Sequence, residues 1–137
     1  MPAGHPVLTA GEVIAGGGWH PRYARVLAIA SDGDYGFALV DGNGDDAELE
    51  AELWRWDGGS WAGAGSSGAG PLATLELLLA ADHADSTCYA YGSAPGYRAI
   101  ALSFEGQRHE APVSQHGTWA FVKVRTDPHS RELPTLA

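Results

Sequence analysis

The feature that most constrains the fold is a period-two alternation of apolar residues, interrupted by Asp-Gly pairs. The stretch "YARVLAIASDGDYGFALV" contains two such runs on either side of Asp32 and Gly33. Period two places alternate side chains on one face of a strand, and Asp-Gly between two strands is a strong hairpin signal. A second pair of runs, 47–56 and 60–64, lies on either side of Asp57 and Gly58. The two hairpins together predict a meander.

The last third of the chain continues the same pattern. Strands are predicted in "STCYAYGSA", in the hairpin "YRAIALSFEGQRHEAPVS" and in "TWAFVKVR". About eight short strands predict an all-β fold, an antiparallel β-sandwich of immunoglobulin-like or meander type. The residues between Ile100, Leu102 and Phe104 are small rather than charged, which indicates strands covered on both faces. The cover would come from the N-terminal arm and the leucine-rich segment, or from another subunit.

The predicted domain organisation is a single sandwich with less regular ends. Residues 1–22 read as an irregular N-terminal arm that holds at most one short strand, 23–125 as the sandwich domain, and 126–137 as a C-terminal tail. The Gly/Ser-rich stretch 63–71 reads as a flexible link within the domain. The leucines of 72–81 fit either a short helix or a strand, and both alternatives stay open.

Size and charge limit the classes of partner. A chain of 137 residues can bury a core without a metal or a disulfide, and Cys88 is its only cysteine. The net charge of −9 argues against binding to nucleic acid and to an anionic membrane surface. Nine acidic residues lie between Asp32 and Asp57, against Arg55 alone.

No signal peptide or membrane-length apolar run is recognised, so a soluble cytoplasmic protein is expected. Seven arginines against one lysine suggest a bacterial origin in a GC-rich genome.

The stretch "DGNGDDAELEAE" raises the question of calcium. It resembles an EF-hand loop, with Asp41, Asn43 and Asp45 at ligand positions and Glu52 at the twelfth. It departs from that loop at Asp46, where glycine is needed, and at Glu48, where an apolar residue is normal. Its flanks also read as strands rather than helices. We therefore predict a hairpin loop and no cofactor, with a calcium-binding β-loop at Asp41, Asn43 and Asp45 kept as a second alternative.

Acidic and aromatic residues next to this loop form the predicted binding surface. Glu48, Glu50 and Glu52 alternate, as do Trp54 and Trp56, while Trp61 lies on the return strand. Carboxylates on one strand face form either a solvated edge or a docking surface for a basic partner. The tryptophans either pack in the core or provide a binding platform. The tentative binding set is therefore Trp54, Trp56, Trp61, Glu48, Glu50 and Glu52.

No set of residues indicates catalysis. His83, Asp85, Ser86 and Cys88 are close in sequence but lack the strand-turn-helix context of a nucleophile. The favoured function is a non-enzymatic domain that binds a protein partner or self-associates, with an acidic surface in its first half. The alternative is a cone-shaped β-fold, enzymatic or small-molecule-binding, with a pocket lined by tryptophan and glutamate.

Overall fold

The computed structural model describes residues 7–77, 79–83, 87–127 and 129–137, with the backbone alone at 79–83. Its regular elements are one helix, one 3-10 turn and ten strands. They are α1 (Ala10–Gly16), β1 (Arg25–Asp32), β2 (Tyr35–Asp41), β3 (Leu49–Trp56), β4 (Trp61–Gly70), the 3-10 turn (Leu72–Thr74), β5 (Leu79–His83), β6 (Thr87–Ser93), β7 (Ala99–Phe104), β8 (Gln107–Pro112), β9 (Thr118–Val124) and β10 (Thr135–Leu136).

The strands form three antiparallel sheets. The first sheet is a meander in the order β1-β2-β3-β4, the middle sheet has the order β5-β6-β9, and the third has β10-β7-β8. The all-β antiparallel sandwich predicted from the sequence is confirmed. Both Asp-Gly turns are also where the sequence placed them, and Gly33 and Gly58 have the positive φ values, 57° and 99°, that such corners need.

The middle sheet contributes to two hydrophobic cores, one on each face. Tyr91, Ala120 and Val122 pack against the first sheet, where Phe37 stacks on Tyr89 with ring centroids 4.6 Å apart. The alternate residues of the same strands point to the third sheet. There Trp119 and Phe121 join the buried face of Ile100, Leu102 and Phe104. Alternate side chains of β6 and β9 thus contribute to the two cores, as expected for strands covered on both faces.

The described residues 7–22 lie on the outer face of the first sheet, and the prediction of an irregular arm is wrong for Ala10–Gly16, which form α1. Thr9 caps α1, and its hydroxyl and the Glu12 carboxylate form a reciprocal capping box. Leu8 and Val13 flank the cap and are both buried in a third cluster, which also contains Val40 and Trp54. The apolar side of this short helix therefore lies against the sheet, and the packing stabilises a helix too short to persist alone.

Two other sequence assignments need correction, and one open alternative is resolved. The predicted flexible link at 63–71 is largely the regular edge strand β4, which ends at Gly70. Of the two alternatives left open for 72–81, the described residues show no α-helix, but a three-residue 3-10 turn and the start of β5. The predicted tail includes β10, which pairs with β7. In the described part of the chain, no helix has the length and apolarity needed to cross a bilayer.

Candidate functional site

The candidate site lies on the outer face of β3. Alternation along β3 directs Leu49, Ala51 and Leu53 into the core between the first and middle sheets. Glu52 and Trp54 therefore point to the opposite face, on which the α1 segment packs. The same alternation assigns Glu50 and Trp56 to this face.

Glu52 is the central side chain of this face. Only 9% of its surface is exposed, so it is a buried carboxylate rather than part of the solvated edge that the sequence allowed. Its Oε2 accepts a hydrogen bond of 3.1 Å from Trp19 Nε1, and its Oε1 accepts one of 3.3 Å from Trp54 Nε1. Both donors are neutral indoles, so these hydrogen bonds orient the carboxylate without neutralising its charge.

The surroundings of Glu52 shift its ionisation toward the protonated form. Burial raises the pKa of the Glu52 carboxyl above its ordinary value of 4.5, because a charged group loses hydration there. The hydrogen bonds from Trp19 and Trp54 oppose this effect, and the negative charge of Glu50 adds to it. A buried carboxylate with a raised pKa is a common mark of functional sites, although structural networks also produce it.

A cleft of about 250 Å³ opens beside Glu52. Its described lining comprises Gly16 and Gly17 from the end of the helix, Glu52, Leu53 and Trp54 from β3, and Gly63, Gly65 and Ser66 from β4. The β4 side of this lining is glycine and serine, so little side-chain bulk stands between Glu52 and solvent in that direction.

Two glycines allow the helix end to approach the indoles. A Cβ atom on Gly16 would lie 3.0 Å from Trp54 Cζ3, and one on Gly17 would lie 2.7 Å from Trp19 Cδ1. Such distances are at or below the tightest that real Cβ atoms adopt, so a larger residue would displace the helix or the rings. The glycines thus set the position of Trp19 relative to Glu52.

The three predicted tryptophans pack in one cluster on this face, whereas the three predicted glutamates differ in their exposure. Trp54 and Trp61 are buried core residues, and Trp56 is half-buried, with its ring edge-on to that of Trp61 at 5.6 Å. Glu50 is half-buried on the strand, but Glu48 precedes β3 and is exposed in the loop. The site that remains is therefore Glu52 with Trp54 and the neighbouring Glu50.

The loop between β2 and β3 has strands on both sides, as the sequence predicted. Asp41 is fully buried and accepts hydrogen bonds from the amides of Gly44 and Asp46, at 3.0 and 2.8 Å. Arg25 Nη2 lies 3.2 Å from Asp41 Oδ2 and 2.8 Å from Asp46 Oδ1. Of the other weak calcium candidates, Asn43 is exposed and Asp45 accepts from the Ala47 amide. The carboxylate oxygens that calcium would need at Asp41 are thus engaged within the loop.

Hydrogen bonds determine the ionisation of Asp41. Burial alone would raise its pKa, but the Asp46 amide, the Arg25 guanidinium and the Gly44 amide all favour the charged form and lower the pKa below 3.8. Asp41 is therefore an ionised side chain that stabilises the loop through its hydrogen bonds. Among the described residues, no group of three or more His, Cys, Asp or Glu side chains is arranged to hold a metal ion.

The second candidate cluster lies partly outside the described residues. Asp85 and Ser86 are not described, and His83 is described by its backbone alone. Cys88 is fully buried in the core between the middle and third sheets, on the side of β6 opposite to Tyr89.

Sequence reasoning missed Trp19, Gly16 and Gly17. The T-x-x-E pattern of Thr9 and Glu12 is a capping-box signature and would have indicated the helix. No local pattern indicates that Trp19 contacts Glu52, because 33 residues separate them. The contact follows from the way the arm packs on the sheet.

Comparison with protein-family models finds no match, and searches against curated proteins and solved structures find none either. Function is therefore argued from the site itself.

Proposed function

We propose that the chain is a non-enzymatic protein-binding domain in which Glu52 receives a cationic side chain of a partner. The observation that carries this proposal is a nine-tenths buried carboxylate at an open cleft, held by two neutral donors. Burying an ionised carboxylate is costly unless an opposite charge compensates. A lysine or arginine of a partner would supply that charge and would lower the raised pKa of Glu52.

The size of the cleft favours a side chain over a free ligand. Pockets for small molecules typically have volumes of about 300–1,000 Å³. The cleft at Glu52, about 250 Å³, is smaller and suits one extended cationic side chain. This size weighs against the alternative of a small-molecule pocket lined by tryptophan and glutamate.

The charge around the cleft supports the same class of partner. Glu50 lies two residues from Glu52 on the same strand face, and the region from Asp32 to Asp57 contains nine acids. A field of one sign accelerates association with a partner of the opposite sign. A basic protein surface is therefore the expected partner, and the cytoplasmic location expected from the sequence remains part of the proposal.

The described lining of the cleft supports binding rather than catalysis. Beside Glu52 it comprises three β4 residues and two helix-end glycines without ionisable side chains, together with Leu53 and Trp54. General acid–base catalysis by two side chains needs a second titratable group within reach of the reacting atoms. Glu50 lies on the same strand face but is not among the described lining residues of the cleft.

A peptide titration tests the proposal. The probe is acetyl-(Thr-Lys)₃-Thr-amide, called the lysine peptide below, and its counterpart carries glutamate in place of every lysine. At low ionic strength, where surface electrostatics are strongest, we expect the lysine peptide to shift the indole N–H signals of Trp19 and Trp54, and the glutamate peptide to leave them unchanged.

Matched variants identify the residue responsible. Glu52→Gln should weaken binding of the lysine peptide about tenfold, the effect of losing roughly 1.4 kcal/mol of interaction. Glu48→Gln removes the same charge from the exposed loop and should change affinity less than twofold. Urea unfolding of both variants verifies that they fold. Equal affinity of Glu52→Gln and the wild-type chain would refute the assignment.

A further inference from the structure

β4 lies at one edge of the first sheet. In the described part of the chain it is bonded to β3 and ends the first sheet. It is ten residues long, most of them exposed, and its sequence "WAGAGSSGAG" contains no charge and no proline. An edge strand presents unpaired backbone donors and acceptors, and natural proteins usually block long edges with charges, proline or β-bulges. β4 has two register irregularities, but the run of small residues 65–68 between them pairs in continuous register with β3.

The register places the cleft directly beside this edge. Glu50 pairs with Gly68, and Glu52 pairs with Ser66. Paired residues of antiparallel strands project from the same face. The path from the open edge to the two carboxylates therefore crosses only a glycine and a serine.

An added strand would bring its side chains within reach of Glu52. Neighbouring strands lie about 4.8 Å apart, so a strand paired with β4 would lie roughly 9.6 Å from β3. A lysine or arginine opposite Ser66 could extend across the small residues of β4, with its apolar stem on the sheet and its charge at the cleft. Residues at alternate positions of the added strand would face the same carboxylates.

We infer that β4 receives an extended segment of a basic partner protein as a fifth strand, with lysine or arginine at alternate positions on the outer face. The inference rests on the proposed function of Glu52 as the cation-binding group. Backbone pairing with β4 would supply affinity, and the cations at Glu52 and Glu50 would supply specificity, as in other cases of strand addition.

Charge complementarity favours a different protein over a second copy of this chain. Each copy has a net charge of −9, and β4 carries no cation to place beside Glu52. If the β4 strands of two copies paired, Glu52 of each copy would still have no cation beside it. A basic segment satisfies the backbone edge and the carboxylate together.

Backbone methylation of the probe tests strand pairing separately from charge. Amide groups of successive residues in a strand point to opposite edges. One lysine peptide is N-methylated at all lysine amides, and another at all threonine amides except the first. We expect one of the two to bind at least tenfold more weakly than the parent peptide, and the other to retain its affinity. Hydrogen exchange at amides of 61–70 should slow on binding of the parent peptide.

A lysine placed on β4 provides the matched protein control. Ser66→Lys puts a cation opposite Glu52, where it should replace the partner's charge and weaken peptide binding at least tenfold. Ser67→Lys puts the same charge on the opposite face of the same strand and should weaken binding less than threefold. Chemical shifts of both variants are compared with wild type to verify the fold.

The outcomes separate the two proposals. Equal affinity of both methylated peptides, with Glu52→Gln still weaker, would overturn strand addition and leave the cation site intact. Wild-type affinity of Glu52→Gln would overturn the cation site on which the inference depends. A third outcome concerns the partner. If the chain self-associates, Ser67→Lys abolishes that self-association and the lysine peptide does not bind, the choice of a basic partner protein would be overturned.

Discussion

The hydrogen bond from Trp19 to Glu52 gives the sharpest test of how the site is built. Trp19→Phe removes the indole donor at 3.1 Å and keeps an aromatic ring in the arm. A hydrogen bond to a charged group contributes about 1.5–3 kcal/mol, so we expect the free energy of unfolding to fall by about 2 kcal/mol at neutral pH. For a domain whose total stability is about 5–15 kcal/mol, urea unfolding followed by circular dichroism resolves this change.

The pH dependence of this loss identifies its cause. Because burial raises the folded-state pKa of Glu52 above the ordinary 4.5, the contribution of this group to stability is complete below 4.5 and declines as pH rises through the folded pKa. Trp19→Phe removes a donor that favours the ionised form, so it should raise that pKa further. The loss should therefore shrink to about 1 kcal/mol near pH 4, where the bond is to a neutral carboxyl.

A double-mutant cycle with Glu52→Gln completes the test. Residues that share a hydrogen bond show an interaction energy of about 0.5–3 kcal/mol in such a cycle. If Trp19→Phe destabilised the chain equally at both pH values and its effect added to that of Glu52→Gln, the reasoning about this bond would be refuted.

Two further predictions concern the loop and the helix beside the site. Asp41→Ala should cost about 2–4 kcal/mol in urea unfolding, because it removes the acceptor of three hydrogen bonds. Since the Asp41 pKa is lowered, its contribution is present above 3.8 and is lost as pH falls through the folded pKa, so Asp41→Asn should flatten the acid side of the stability profile. Gly16→Val should cost about 1–3 kcal/mol by overpacking against Trp54, whereas Gly11→Ala, which has open space around it in the same helix, should gain about 0.5–1 kcal/mol. Thermal unfolding of the two glycine variants compares them directly, and equal destabilisation would contradict the packing argument.

The sandwich could be predicted because its evidence is local. Alternation in β2, β6 and β9 and the Asp-Gly corners at Gly33 and Gly58 lie within short windows of sequence. The shared face of Glu52 and Trp54 follows from the same period. These features depend on the geometry of a single strand and need no knowledge of its neighbours.

The features that the sequence did not predict depend on contacts between distant parts of the chain. β4 reads as a link because glycine and serine have low strand propensity, and its ladder with β3 overrides that preference. The helix α1 is too short for its periodicity to be evident, although the pattern at Thr9 and Glu12 was present. The burial of Glu52 depends on Trp19, whose position is decided by the packing of the arm on the first sheet.

The proposed cation site depends most on the charge state of Glu52, and a titration of its side-chain carboxyl carbon by NMR measures that state directly. The free chain should show a pKa above 4.5, and saturating lysine peptide should lower it, because a bound cation favours the ionised form. A free-chain value at or below 4.5, or no change with bound lysine peptide, would contradict the proposed cation site.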